Sequence, residues 1–124
     1  MSKYVVDTHT LVWFFNGDKK LSKKAFTILE NKNQEIIIPT IVLCELMYIA
    51  KKVSIDFETT LKELKIRLNC EFYPLDLEVV EKIIEIDKVL EIHDKIIVAS
   101  AKLLNASIIT KDKEIQKIYS KTVW

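Results

Sequence analysis

Lys-Tyr-Val-Val at positions 3–6 is a β-branched and aromatic run that predicts a buried strand. At Asp7 it passes directly into residues 8–15, whose apolar positions recur at helical spacing. Asn16-Gly17-Asp18 signals a turn, and residues 21–31 predict a helix with Ser22 placed to cap it and Ala25, Ile28 and Leu29 on one face. Residues 35–39 return as a strand. Ile36, Ile37 and Ile38 follow one another without alternation, the pattern of a strand covered on both faces.

The second half repeats this alternation. Thr40 is positioned to cap a helix reaching about residue 52, and Asp56 to cap another in which Phe57, Leu61, Leu64 and Leu68 share a face. Residues 70–75 predict a third strand. Asp76 then caps a helix turning Val79, Val80, Ile83, Ile84 and Leu90 inward, and Asp94 opens one carrying Ile97, Ala101 and Leu104. Residues 106–110 predict a fourth strand, 112–119 a last helix and 122–124 a short fifth strand. The expectation is one α/β domain over residues 1–124: a central parallel sheet of four to five strands flanked by helices on both faces.

Composition narrows the function classes. At 49% hydrophobic and 30% charged residues with a single Gly, the chain reads as a folded domain rather than a disordered one. Residues 1–7 lack the features of a secretory signal, which leads us to expect a cytoplasmic protein. The run 36–50 is too short to span a bilayer and contains Glu45, so no membrane association is expected. Cys44 and Cys70 are not in metal or redox spacing and are expected to be packed thiols. A net charge of +1 decides nothing about nucleic acid, although Lys19, Lys20, Lys23 and Lys24 form one basic group and Lys111, Lys113 and Lys117 another. Solvated helix faces account for either group by itself.

Four acids remain to be explained. Open parallel sheets bind ligands beyond the carboxyl ends of their strands, where Asp7 and Asp112 fall. Glu45 is the single charge in residues 36–50, with Ile41, Val42, Tyr48 and Ile49 at helical spacing and no Lys or Arg within one turn. Burying it unpaired would cost several kcal/mol, so it calls for a bound cation or a distant basic partner. Asp7, Asp94 and Asp112 each stand where a helix N-cap is expected, and capping alone accounts for any one of them. Brought together, the four would repel unless a divalent ion lay between them. All-oxygen ligation selects Mg²⁺ or Mn²⁺; with His9 and His93 the only histidines, a zinc site has little to draw on. Both histidines read as surface or supporting residues. There is no G-x-S-x-G and no Gly-rich phosphate loop.

Four stretches carry a resemblance: Val5-Val6-Asp7-Thr8-His9-Thr10-Leu11, Ile38-Pro39 through Glu45-Leu46, His93-Asp94-Lys95-Ile96-Ile97-Val98-Ala99-Ser100-Ala101, and Ile109-Thr110-Lys111-Asp112. In this order they resemble the PIN domain, specifically the VapC-type toxins of toxin–antitoxin pairs. The resemblance implies endonucleolytic RNA cleavage with Mg²⁺ or Mn²⁺, Asp7, Glu45 and Asp94 as the main metal-binding acids and Asp112 as the fourth. It makes Thr110 the hydroxyl residue that orients a water or a carboxylate, with Thr8 following the first acid. Many relatives have Ser or Thr where this chain has Val42, and Thr40 is a candidate substitute. The resemblance further implies a homodimer and a small antitoxin partner, for which Trp13, Phe14 and Phe15 offer a surface; a core-facing role suits that triplet equally well.

Two rival readings differ in what they predict. A response-regulator receiver also has alternating α/β order and an acidic Mg²⁺ site, with Asp76 as phosphoacceptor and Thr110-Lys111 after the fourth strand. It requires paired acids after the first strand, where Thr8 breaks the pair, and leaves Glu45 without a role. A non-catalytic PIN-like module that only binds a partner protein would not require all four acids.

Overall fold

The computed structural model describes residues 2–67, 69–86 and 89–124. Five strands, β1 (Lys3–Val6), β2 (Glu35–Pro39), β3 (Cys70–Tyr73), β4 (Ser107–Ile109) and β5 (Thr122–Val123), form one sheet in the order β3-β2-β1-β4-β5. Every pairing is parallel. Seven helices connect them: α1 (Thr8–Asn16), α2 (Lys23–Glu30), α3 (Thr40–Ala50), α4 (Phe57–Ile66), α5 (Leu77–Ile83), α6 (Ile92–Leu104) and α7 (Lys113–Ile118).

Successive strand residues point to opposite faces, and Val5 and Val6, Ile36 to Ile38, and Ile108 and Ile109 are all essentially inaccessible. Both faces of the three central strands are therefore covered, as the unbroken apolar runs predict. β3 at one edge is only partly buried. The helix α6 contributes six consecutive buried residues from Ile96 to Ala101, small at Ala99, Ser100 and Ala101. The one glycine, Gly17, ends α1 at φ 64, a left-handed conformation that costs other residues more.

The strand order separates the rival architectures. A receiver has the order 2-1-3-4-5 with its switch point between β1 and β3. Here the neighbours of β1 are β2 and β4, and β3 lies beyond β2, so Asp76, three residues past β3, has no place beside Asp7. Its carboxylate caps α5 through the Val79 N–H at 3.1 Å.

Local expectations fail where tertiary packing supplies what sequence spacing could not reveal. Thr40 is the first residue of α3 rather than its cap; Pro39 holds the cap position and makes no side-chain bond. Asp94 is not a cap either, because α6 starts two residues earlier and has Glu91 at its N-cap. Val79 and Leu90 are buried, but Val80 and Ile84 face outward because α5 packs on α6 along a narrower stripe than the apolar pattern suggests. Cys44 is exposed and Cys70 half-buried: α3 buries Val42, Leu46 and Ala50, a face that turns Cys44 to the outside. Leu68, expected on the α4 face, lies outside the described residues.

Candidate active site

Strand connections leave in opposite directions at β1 and β4, making the carboxyl ends of these two strands the switch point of the sheet. Parallel register sets Val6 against Ile109, so the next residues, Asp7 and the approach to Thr110, emerge side by side. Asp7 is buried, and its two oxygens have separate tasks. Oδ1 accepts the Thr10 N–H at 3.0 Å, capping α1, and Oδ2 accepts the Thr110 hydroxyl. The Thr110 oxygen accepts in turn from the Asp112 N–H at 3.0 Å. Asp112 caps α7 by accepting from the Glu114 and Ile115 N–H groups at 2.8 and 3.0 Å.

Glu45 reaches the same place from α3, which packs across α1. Its Oε1 accepts the Thr8 hydroxyl at 2.5 Å and its Oε2 lies 2.9 Å from His93 Nδ1. The partner that its sequence setting called for is thus a histidine and a threonine rather than a lysine. Val42 is fully buried in the core, so the hydroxyl contact to this acid comes from Thr8 and neither Thr40 nor position 42 supplies it. Tyr48, grouped with the apolar neighbours of Glu45, is 71% exposed, which puts Glu45 at the rim of the buried face rather than within it.

Asp94 sits in the first turn of α6. Asp7, Glu45, Asp94 and Asp112 all line one cavity of about 200 Å³, together with Glu91 and His93. Asp94 registers the crowding. Burial, then the charges of Asp112, Asp7, Glu91 and Glu45, push its carboxyl up to about 6. Burial also raises Asp7, against the lowering effect of the hydrogen bonds from Thr10 and Thr110. Three contributions went unassigned in the sequence: Glu91 as a lining acid, the specific tie of His93, read as a surface or supporting residue, to Glu45, and the Thr8 side chain as a donor. Glu91 carried a signal, since residues three apart on a helix are neighbours and Glu91 precedes Asp94 by that interval. His93 carried none, because its link to Glu45 spans two distant helices.

A model of the PIN domain family matches residues 4–121. The chain belongs to this family. PIN domains are nucleases. No curated protein matches the sequence. Among solved structures, the chain is similar to VapBC2 from Rickettsia felis bound to a DNA fragment from its promoter, with a TM-score of 0.71 at 23% identity, covering 98% of this chain and 97% of that one. It is also similar to a toxin–antitoxin complex from Klebsiella pneumoniae, with a TM-score of 0.75 at 22% identity over 98% and 96% of the two chains. At these identities the likeness establishes the fold, and the five-strand parallel sheet of this PIN domain agrees with it.

The donor set of the cavity suits a hard cation, being mostly carboxylate oxygen, with the Thr8 hydroxyl and the rings of His9 and His93 beside it. Among the described residues, no group of three or more His, Cys, Asp or Glu is already arranged to hold a metal ion. The bonds explain this: both oxygens of Glu45 and both of Asp7 are engaged by protein donors. The Asp94 carboxylate, on the first turn of α6, has no hydrogen bond or ion pair with a described residue. The acids converge on one space, with Asp7, Glu45 and Asp112 each held by hydrogen-bonding supports. No helix among the described residues is long and apolar enough to cross a membrane.

Proposed function

We propose that this PIN domain is an endoribonuclease dependent on Mg²⁺ or Mn²⁺ and that it acts as the toxin of a toxin–antitoxin pair. The observation that carries the reading is the convergence of Asp7, Glu45, Asp94 and Asp112, from four separated segments, on one cavity at the switch point of the sheet. Burial and then the neighbouring acids raise the Asp94 carboxyl to about 6, so the cluster is held against electrostatic cost, as functional sites are.

Asp7, Glu45, Asp94 and Asp112 are the residues that would hold the ion. A bound divalent cation supplies a water of lowered pKa and stabilises charge on the phosphate. The chain's own supports do the rest. Thr110 fixes the orientation of Asp7, Thr8 and His93 fix Glu45, and the caps on α1 and α7 anchor Asp7 and Asp112 to rigid elements. Lys111 and Lys113 line the cleft adjoining the acids, where they can meet RNA phosphates. The decisive experiment incubates a mixed RNA pool with Mg²⁺, Mn²⁺ or EDTA. Cleavage that stops with EDTA and returns with Mg²⁺ is expected, and chelator-resistant cleavage or none in any condition overturns the reading. A double-stranded DNA pool run in parallel tests the choice of RNA.

Two surfaces support the expected partners. Trp13, Phe14, Leu21 and Phe26 line a groove of about 300 Å³ between α1 and α2, beside Lys23. Phe26 is 43% exposed and its ring lies 5.8 Å from that of Phe14. This groove suits the apolar face of a small antitoxin segment. Phe14 and Phe15 are half-buried against the core, so the triplet serves packing and surface at once. For the homodimer, Leu77, Val80 and Ile84 follow helical spacing along α5 and its C-cap, all outward and well exposed. We predict that Val80→Lys shifts the protein from dimer to monomer in light scattering after size exclusion. A parent that is monomeric at micromolar concentration would contradict the dimer.

A further inference from the structure

We propose that the cleft against Trp13 is a nucleobase subsite, holding one unstacked base of single-stranded RNA next to the phosphate at the acid cavity. The inference rests on the RNA-cleaving reading above and adds to it a residue that positions substrate.

Two cavities adjoin here. The cleft of about 410 Å³ is lined by Asp7, His9, Trp13, Lys111, Asp112 and Lys113, and shares Asp7, His9 and Asp112 with the acid cavity. A ligand reaching both would meet an aromatic contact in one cavity and a charged contact in the next, the alternation of base and phosphate along a nucleic-acid strand. The Trp13 ring is held in place by its neighbours. The His9 ring lies 5.8 Å away at 49°, and the Trp124 ring 5.8 Å away with an edge-on angle of 67°. Neither is a parallel stack, so among the described residues no protein ring lies flat on the indole. Base stacking on such a ring tolerates any sequence, because every base has a π-face.

The electrostatics also select a polyanion. The ammonium groups of Lys111 and Lys20 lie over the Trp13 ring, 5.8 and 6.0 Å from its centre, on long flexible stems that a stacking base can displace toward its own phosphates. With Lys113, which lines the cleft beside Lys111, they put positive charge around the indole. A phosphodiester strand fits this pairing of an indole with mobile ammonium groups, and a base paired within a duplex does not, since its faces are already stacked. An acidic peptide would satisfy the lysines without using the approach to the acid cavity.

The test is a double-mutant cycle between protein and substrate. An oligoribonucleotide with one site cleaved by the parent is compared with the same strand made abasic on either side of that site, using the parent, Trp13→Phe and Trp13→Leu, each checked for an unchanged melting profile. On the intact strand Trp13→Leu is expected to raise KM about tenfold with kcat nearly unchanged, and Trp13→Phe to fall between it and the parent. On the abasic strand the three proteins are expected to have the same KM. An equal penalty on both strands, or no change in KM, overturns the subsite while leaving the nuclease reading intact. Lost affinity for an antitoxin with KM unchanged would assign Trp13 to protein binding and overturn it as well. A parent that cleaves neither strand removes the nuclease reading itself, and the subsite with it.

Discussion

Asp94→Asn is expected to lose RNA cleavage by more than about 100-fold and, in the same metal-free protein, to gain stability at neutral pH. Losing a residue that merely supports a metal ligand costs 10–100-fold in typical metalloenzymes, so removing a ligand itself should exceed that range. The stability gain follows from the raised carboxyl. Asp94 titrates near the ordinary 3.8 when unfolded and about 6 when folded. Between those values the folded state binds more protons, so the stability this group contributes is present at low pH and is lost as pH rises through that window. At pH 7 the parent bears the full penalty of an ionised Asp94 among acids, and the Asn variant bears none. The two-unit shift corresponds to about 3 kcal/mol at most. Asp94 is only partly buried, and screening reduces the gain to on the order of 1 kcal/mol, about 4 °C in melting temperature. Thermal melts at pH 4 and pH 7 check it: the variant's advantage should be present at pH 7 and shrink toward pH 4. A variant less stable than the parent at pH 7 would mean that Asp94 makes attractive contacts in the free protein.

Thr110→Val is expected to reduce cleavage 10–100-fold without removing a carboxylate. The substitution keeps the size of the side chain and deletes its hydroxyl, which donates to Asp7 Oδ2 and accepts from the Asp112 N–H. Asp7 then retains the cap bond from Thr10 as its remaining hydrogen-bond support in a buried setting. Its carboxyl, already raised by burial, rises further, and the protein should lose ~1–3 kcal/mol of stability from the unsatisfied buried groups. Thr110→Ser, which keeps the hydroxyl, should recover most of the activity. Equal activity in Thr110→Val and Thr110→Ser would show that the hydroxyl has no part in positioning Asp7.

The fold was legible in particular stretches. Ile36-Ile37-Ile38 and Tyr4-Val5-Val6 announced strands buried on both faces, and the caps at Asp7, Ser22, Asp56, Asp76 and Asp112 all hold a helix end. Thr40 and Asp94 failed as caps because sequence preference for a cap residue does not say where the helix backbone begins; the N-cap of α6 lies three residues before Asp94, at Glu91. Val80 and Ile84 failed as core residues because apolar character is necessary for burial and does not by itself select a packing partner. Glu45 was singled out by its apolar setting, and its tie to His93 and Thr8 was beyond reach of spacing.

The order of apolar and polar residues determined by itself that strands and helices alternate, that the sheet is parallel, and that acids stand at strand and helix ends. These are properties of short stretches, set by backbone geometry and by which side chains leave water. The tertiary structure alone decided that β1 lies beside β4, that Thr110 reaches Asp7 and His93 reaches Glu45, and that the four acids share one cavity with Glu91. Such pairings join residues 48 to 103 positions apart, and their proximity depends on how whole layers pack, which no local pattern encodes.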